Sequence, residues 1–138
     1  MTPESLATLH ASAFADHARG WSADEFAQLL CSDTVFVVGD ANAFAMGRVV
    51  LDEAELLTLA RAPAVRGQGF GNNILLAFEH AASRRGARRF FLEVAADNAP
   101  ALRLYTGAQY TEIARRKGYY TRPDGQRVDA IILEKRSV

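Results

Sequence analysis

Cysteine is scarce: Cys31 is the only one in the chain. No internal disulfide can form, and no Cys/His cluster has the spacing of a zinc site, so no metal is expected and a reducing cytoplasm fits best. Net charge is missing too, because 16 basic and 16 acidic residues cancel. Nothing global therefore argues for direct binding to nucleic acid or to an anionic membrane. Apolar runs fall far short of the roughly 20 residues that a membrane span needs, and the first residues lack the basic-then-apolar order of a signal peptide. The expectation is a soluble cytoplasmic protein with a single domain over residues 1–138, a length that allows one sizeable core but not two.

What is present is a mixed series of helical and strand patterns. Thr2-Pro3 offers a cap and a first-turn proline, followed by Leu6, Leu9, His10, Ala13, Phe14 and His17 at helical spacing. Ser22-Ala23-Asp24-Glu25 fits a capping box, with Phe26, Leu29 and Leu30 behind it. Residues 34–38 and 43–50 read as a hairpin around Gly39-Asp40-Ala41-Asn42, and a third strand follows from Glu55 to Ala60. Ile74, Phe78, Ala81 and Ala82 mark one face of a helix that should stop at Gly86. Residues 89–94 form a compact strand, Asn98 can cap a short helix holding Leu102, Leu104 and Tyr105, and two strands near 110–116 and 128–135 flank Pro123-Asp124-Gly125. The order helix, helix, three strands, helix, strand, helix, two strands implies an α/β fold with a mixed sheet.

The stretch "VRGQGFG", from Val65 to Gly71, sets three glycines on alternate positions between a strand and a helix. It lies in a locally basic segment, since residues 61–89 carry six arginines, Arg61 and Arg66 among them, against Glu79 alone. Free backbone N–H groups at a helix start bind phosphate, and glycine lets an anion approach them. By itself the pattern is as compatible with a turn that packs a helix close to a sheet. It matches neither a P-loop nor a dinucleotide fingerprint, because no lysine follows and Asn72 and Ile74 stand where a small residue is required.

What remains, Arg66-x-x-Gly69-x-Gly71 between strand and helix, resembles the pyrophosphate loop of the GCN5-related N-acetyltransferase (GNAT) superfamily, and the order of elements agrees over essentially the whole chain. "FLEVAADNAPALRLY" and "ARRKGYYTRPDGQRVDAIILEK" are similar to the branch that acetylates the N-terminal alanine of ribosomal proteins. The resemblance implies the acyl-coenzyme A N-acyltransferase fold, with splayed central strands and a cofactor helix after the glycines. It also implies acetyl-coenzyme A as cosubstrate, without a metal, and the N-terminal peptide of a ribosomal protein as acceptor. The amine would attack directly in a ternary complex.

Acetyl transfer from a thioester to an amine needs a neutral amine, a polarised carbonyl and a proton for the departing sulfur. The resemblance assigns Glu93 as general base and Tyr105 as proton donor; taken alone, they are an exposed strand-end glutamate and a core aromatic. It places the cofactor on the backbone of Leu59, Ala60 and Arg61 and on the loop Arg66, Gly67, Gln68, Gly69, Phe70, Gly71 and Asn72, with Asn98 and Tyr105 completing the contacts. Asn98 reads equally as a helix cap. Asn72 stands where relatives often carry arginine, so that side-chain contact to phosphate is either missing or replaced by Arg61 or Arg66. Gln109 replaces the glycine of the usual Tyr-x-x-x-Gly-Phe, so the turn after Tyr105 is expected to be built differently. The loop holding Lys117, Gly118, Tyr119, Tyr120 and Asp124 resembles the segment that covers the acceptor, or is simply a solvated hairpin tip. His10, His17 and His80 read as structural histidines, and Cys31 as a small buried apolar residue. The same chemistry on a polyamine, an antibiotic, an amino acid or a lysine side chain, and a non-catalytic acyl-coenzyme A sensor, are the alternative readings.

Overall fold

The computed structural model describes residues 1–13, 21–62 and 70–137. Arg66, Gly67, Gln68 and Gly69 lie outside the described residues, as do Phe14, His17, Val65 and the side chain of Phe70. The elements run α1 (Pro3–Ala13), α2 (Ala23–Leu30), β1 (Val35–Gly39), β2 (Ala43–Val50), β3 (Glu53–Arg61), α3 (Phe70–Arg84), β4 (Arg89–Ala95), α4 (Ala99–Gly107), β5 (Thr111–Thr121) and β6 (Arg127–Arg136). That is the expected order. The strands form one six-stranded mixed sheet, β1-β2-β3-β4-β6-β5, in which β3 and β4 are the parallel pair.

Local chemistry explains the helix ends. The Thr2 hydroxyl accepts the Ser5 N–H at 3.0 Å ahead of Pro3, and Ser22 and Glu25 close a reciprocal capping box. α3 stops at Gly86, whose left-handed backbone (φ 94°) lets the N–H groups of Gly86 and Ala87 satisfy the carbonyls of Ser83 and Ala82. α4 ends in the same double bond, with Gln109 and Tyr110 donating to Thr106 and Tyr105 at 3.1 and 3.0 Å. Gln109 adopts φ 77° there. The expectation of a differently built turn is thus corrected: Gln109 is forced into the conformation a glycine would take, at a strain of about 1–2 kcal/mol.

Two cores cover the two faces of the sheet. α3 buries Ile74, Leu75, Phe78, Ala81 and Ala82 against Phe36, Ala45, Leu56, Phe90 and Leu92. On the other face α1 and α2 bury Leu6, Leu9 and Phe26 against Phe44, Met46 and Ala60. β2 serves both, its alternate residues Ala43 and Ala45 going to one core and Phe44 and Met46 to the other. In β3 the pairs Gly47↔Leu56 and Met46↔Thr58 leave Leu57 as an extra residue. This bulge inverts the alternation, so that Ala54 and Leu56 face α3 while beyond it Ala60 faces α1 and α2.

Two surface expectations are also corrected. Cys31 is exposed, because it caps the solvent end of α2, where its N–H reaches the Ala27 and Gln28 carbonyls. Leu30 is 37% exposed, so α2 packs through Phe26 and Leu29. Among the described residues no helix is long and apolar enough to cross a membrane.

Helix α3 comes unusually close to the sheet at Gly47. A Cβ there would lie 2.5 Å from Phe78 and 2.8 Å from Phe36, two buried rings stacked with centroids 5.9 Å apart. Both rings are buried and stacked on each other, so a shift of either disturbs the core. Gly47→Ala should cost about 1–3 kcal/mol of stability; thermal unfolding checks this, and an unchanged melting temperature would show slack between helix and sheet.

Candidate active site

β3 and β4 pair only at Glu53↔Arg89, Ala54↔Phe90 and Glu55↔Phe91. The paired end is fastened by Arg89, which reaches Glu53 of β3 at 2.5 Å and Glu134 of β6 at 2.6 Å. The Asp52 carbonyl adds bonds from the Arg88 and Arg89 N–H groups. Beyond Phe91, β4 stays on β6 as far as Ala95↔Ala130, while β3, bent at its bulge, stays on β2 as far as Arg61↔Ala43. The two strands therefore part, as expected from the resemblance. Between them lies a cleft of about 400 Å³, lined by residues 56–61 of β3 and 92–95 of β4, with Asn98, Leu104, Tyr105, Tyr120 and Arg122 at its rim.

Glu93 stands between Leu92 and Val94, which are buried, so strand alternation turns its side chain the other way, toward the cleft. One carboxylate oxygen, Oε2, accepts a hydrogen bond from the Tyr120 hydroxyl at 2.8 Å. The other, Oε1, lies 3.6 Å from Arg116 Nε, on a side chain that is 58% exposed. An exposed ion pair is worth about 0–1 kcal/mol, whereas a hydrogen bond to a charged group is worth about 1.5–3, so Tyr120 is the stronger tether. Burial, and then the bond to Glu93, raise the pKa of Tyr120, which keeps its phenol protonated as the donor.

Tyr105 comes from α4 and is buried, with its ring edge-on to Tyr110 at 6.0 Å. Burial pushes its phenol up to about 12, and the positive charge of Arg61 pulls slightly the other way. At neutral pH the group is an intact O–H on the cleft wall, with no hydrogen-bond partner among the described residues. Tyr110 in turn donates to Glu79 of α3 at 2.9 Å, and Lys135 of β6 binds the same carboxylate at 3.0 Å. The Tyr105 end of α4 is thereby tied to the long helix.

Of the cofactor-binding candidates, Leu59, Ala60, Arg61, Asn98 and Tyr105 line the same cleft. Leu59, Ala60 and Arg61 are on the stretch of β3 whose second edge no described strand covers. Gly71 and Asn72 open α3, and the Arg61 guanidinium lies against the first turn: a Cβ on Gly71 would be 2.1 Å from its Nη1. That places a cation with no carboxylate partner among the described residues at the positive end of a helix dipole, an arrangement that an anion would relieve. Asn98 is the cap of α4, its Oδ1 accepting the Ala101 N–H at 3.2 Å, and it also lines the cleft. Asn72 is exposed.

The segment expected either to cover the acceptor or to be a solvated hairpin tip is not a loop. Lys117, Gly118, Tyr119 and Tyr120 belong to β5, and only Asp124 sits in the turn, because a bulge lets the strand continue to Thr121. Three contacts have no counterpart in the sequence reading: Tyr120 on Glu93, Arg122 on Asp97 at 2.9 Å, and the Gly118 N–H on Asp129 at 2.9 Å. Gly118 inside a strand pattern was the available signal for the bulge. His10 is a satisfied structural histidine. Its Nδ1 accepts the Trp21 N–H, which leaves Nε2 to donate to Thr58. His80 is exposed on α3. Among the described residues no group of three or more His, Cys, Asp or Glu side chains could hold a metal ion.

The strands part around one cleft that Glu93 and Tyr105 both line, and the chain belongs to the acetyltransferase (GNAT) family, whose profile matches residues 4–108. The [ribosomal protein bS18]-alanine N-acetyltransferase of Escherichia coli is 37% identical over 85% of this chain and 81% of its own length. Its Haemophilus ducreyi namesake is 40% identical over 66% of this chain, and the match spans 63% of that protein. The crystal structure of the E. coli ribosomal-protein-S18-alanine N-acetyltransferase superposes with a TM-score of 0.86 at 32% identity, covering 99% of this chain and 88% of that one.

The raised Tyr105 pKa has a stability consequence. The folded form holds its proton up to about pH 12 and the unfolded chain only to about 10, so the contribution is complete below pH 10 and is lost as pH rises through the folded value. Tyr105→Phe should therefore lose less stability than the parent between pH 10 and 12; parallel melting curves for the two proteins across that range would contradict this.

Proposed function

We propose that this chain transfers the acetyl group of acetyl-coenzyme A to the α-amine of a protein N-terminus, that of the alanine which opens the small-subunit ribosomal protein bS18. The observation that carries the reading is the single cleft into which β3, Glu93 and Tyr105 all open. The bacterial relatives support the acceptor, being named for that alanine, and a ribosomal substrate puts the reaction in the cytoplasm.

Bound in the cleft, acetyl-coenzyme A supplies the activated acetyl group. The uncovered backbone edge of residues 57–61 offers N–H and C=O groups to the amides of its pantetheine arm. Arg61, Gly71 and the first turn of α3 form the cationic end that suits its diphosphate, with Arg66, Gly67, Gln68, Gly69, Phe70 and Asn72 proposed alongside them. Asn98 contributes its side-chain amide from the cleft rim. Glu93 takes the proton of the incoming ammonium, leaving a neutral amine whose lone pair attacks the thioester carbonyl in the ternary complex. Tyr105 gives the departing sulfur its proton, which burial keeps in place at neutral pH, and the proton that the nitrogen sheds as the adduct collapses to the amide restores the phenol. Each residue then does one task, and no covalent enzyme intermediate is required.

Steady-state kinetics with an alanine-starting peptide test the assignment. Glu93→Gln and Tyr105→Phe should each lower kcat roughly 10²–10⁴-fold, the usual range for a positioned acid or base, with acetyl-coenzyme A still bound. Undiminished turnover in either variant would remove that residue from the mechanism. Faster acetylation of a polyamine, a free amino acid or a lysine side chain would move the acceptor, and binding without transfer to any amine would make the protein a sensor.

A further inference from the structure

The β5–β6 hairpin is shaped to bring a phenol to Glu93. From Arg116↔Ala130 to Tyr120↔Val128, β5 advances four residues while β6 advances two. An even excess preserves the alternation of faces, so Arg116 and Tyr120 end on the same side of the strand, and both meet Glu93. The bulge is stapled in place. Gly118, at φ 57°, donates its N–H to Asp129 Oδ1 at 2.9 Å and accepts Arg127 Nε on its carbonyl at 3.0 Å. That bond holds the Asp129 carboxyl below its usual range, so the staple is charged and formed at neutral pH. Without these extra residues Gly118 would stand opposite Val128 and no side chain would reach across.

The ring of Tyr120 is held independently of its hydroxyl. Tyr119 packs on it edge-on at 5.2 Å, and the Arg122 guanidinium lies 5.9 Å from its centroid while pairing with Asp97 across the cleft rim. The hydroxyl is therefore presented to Glu93 by a frame that does not depend on the bond it makes there.

We propose that Tyr120 is the positioning residue for Glu93: by donating to Oε2 it fixes the rotation of the carboxylate and leaves the remaining lone pairs directed at the incoming ammonium. The inference rests on Glu93 being the base. A carboxylate has four acceptor sites and a free side-chain torsion. With one site tethered at 2.8 Å, the rest point in set directions. A general base works only when it lies within hydrogen-bond reach of its proton in the bound complex. Tyr120 thus acts through Glu93, without taking a proton itself.

A double-mutant cycle on the full chain, with the alanine-starting peptide and acetyl-coenzyme A, tests this. Tyr120→Phe keeps the ring and its packing, so the protein should stay folded, with its melting temperature lowered only by the one lost hydrogen bond and its calorimetric affinity for acetyl-coenzyme A matching the parent. Its kcat should fall roughly tenfold, with the peptide KM changed less than about twofold; in the Glu93→Gln background the same substitution should change kcat less than about twofold. Equal losses in both backgrounds, or a loss confined to peptide KM, would overturn the proposal and make Tyr120 a contact of the peptide itself. Parental turnover in Glu93→Gln alone would instead remove the base on which the inference rests.

Discussion

The parallel pairing of β3 and β4 stops after Glu55 and Phe91, and the rest of the molecule is arranged around that interruption. Backbone N–H and C=O groups are obligatory hydrogen-bonding groups, and a strand edge left without a partner must find one in water or in a ligand. Here the uncovered edge of β3 faces a cleft rather than open solvent. A ligand with amide groups along an extended arm can add to such an edge as a strand would. The bulge at Leu57 falls just beyond the last β3–β4 pair, where β3 stays on β2 while β4 follows β6.

A gap in the centre of a sheet would be a weakness if its margins could move. They are held on three sides. Arg89 clamps the paired end through Glu53 and Glu134. Glu79 joins α3 to β6 through Lys135 and to Tyr110 through its phenol, and Tyr110 supports the ring of Tyr105. On the far rim Asp97 and Arg122 tie the start of α4 to the hairpin. The strained Gln109 turn fits the same scheme, since its two hydrogen bonds fix the end of α4 whatever the local cost. Glu93 and Tyr105 thus sit on elements that are tied to one another around the cleft.

Element order was legible from the sequence because its signals are local. The Ser22–Glu25 box, the Asn98 cap, the alternation in β2 and the glycine after α3 each declare a helix end or a strand face within a few residues. Glu93 and Tyr105 are singled out by resemblance to a family, not by their own environment, which no short window of sequence contains; both line the cleft. What escaped notice depends on register between distant strands. Tyr120 reaches Glu93 only because Asp129, nine residues further along the chain, props the bulge open. Cys31 departs from expectation for a simpler reason: the stripe of α2 that packs ends at Leu29, so the small side chain beyond it stays in solvent. The glycine stretch that first suggested phosphate lies largely outside the described residues, so its contribution rests on Gly71 and Arg61.

Amide hydrogen exchange with and without acetyl-coenzyme A addresses the central claim most directly, because it reads the backbone groups in question one by one. If the uncovered edge of β3 receives the cofactor, exchange slows on binding at residues 57–61 and in the first turn of α3, while the Glu53–Glu55 end, already paired to β4, stays as it was. Binding that leaves residues 57–61 exchanging at their free rate would contradict the account.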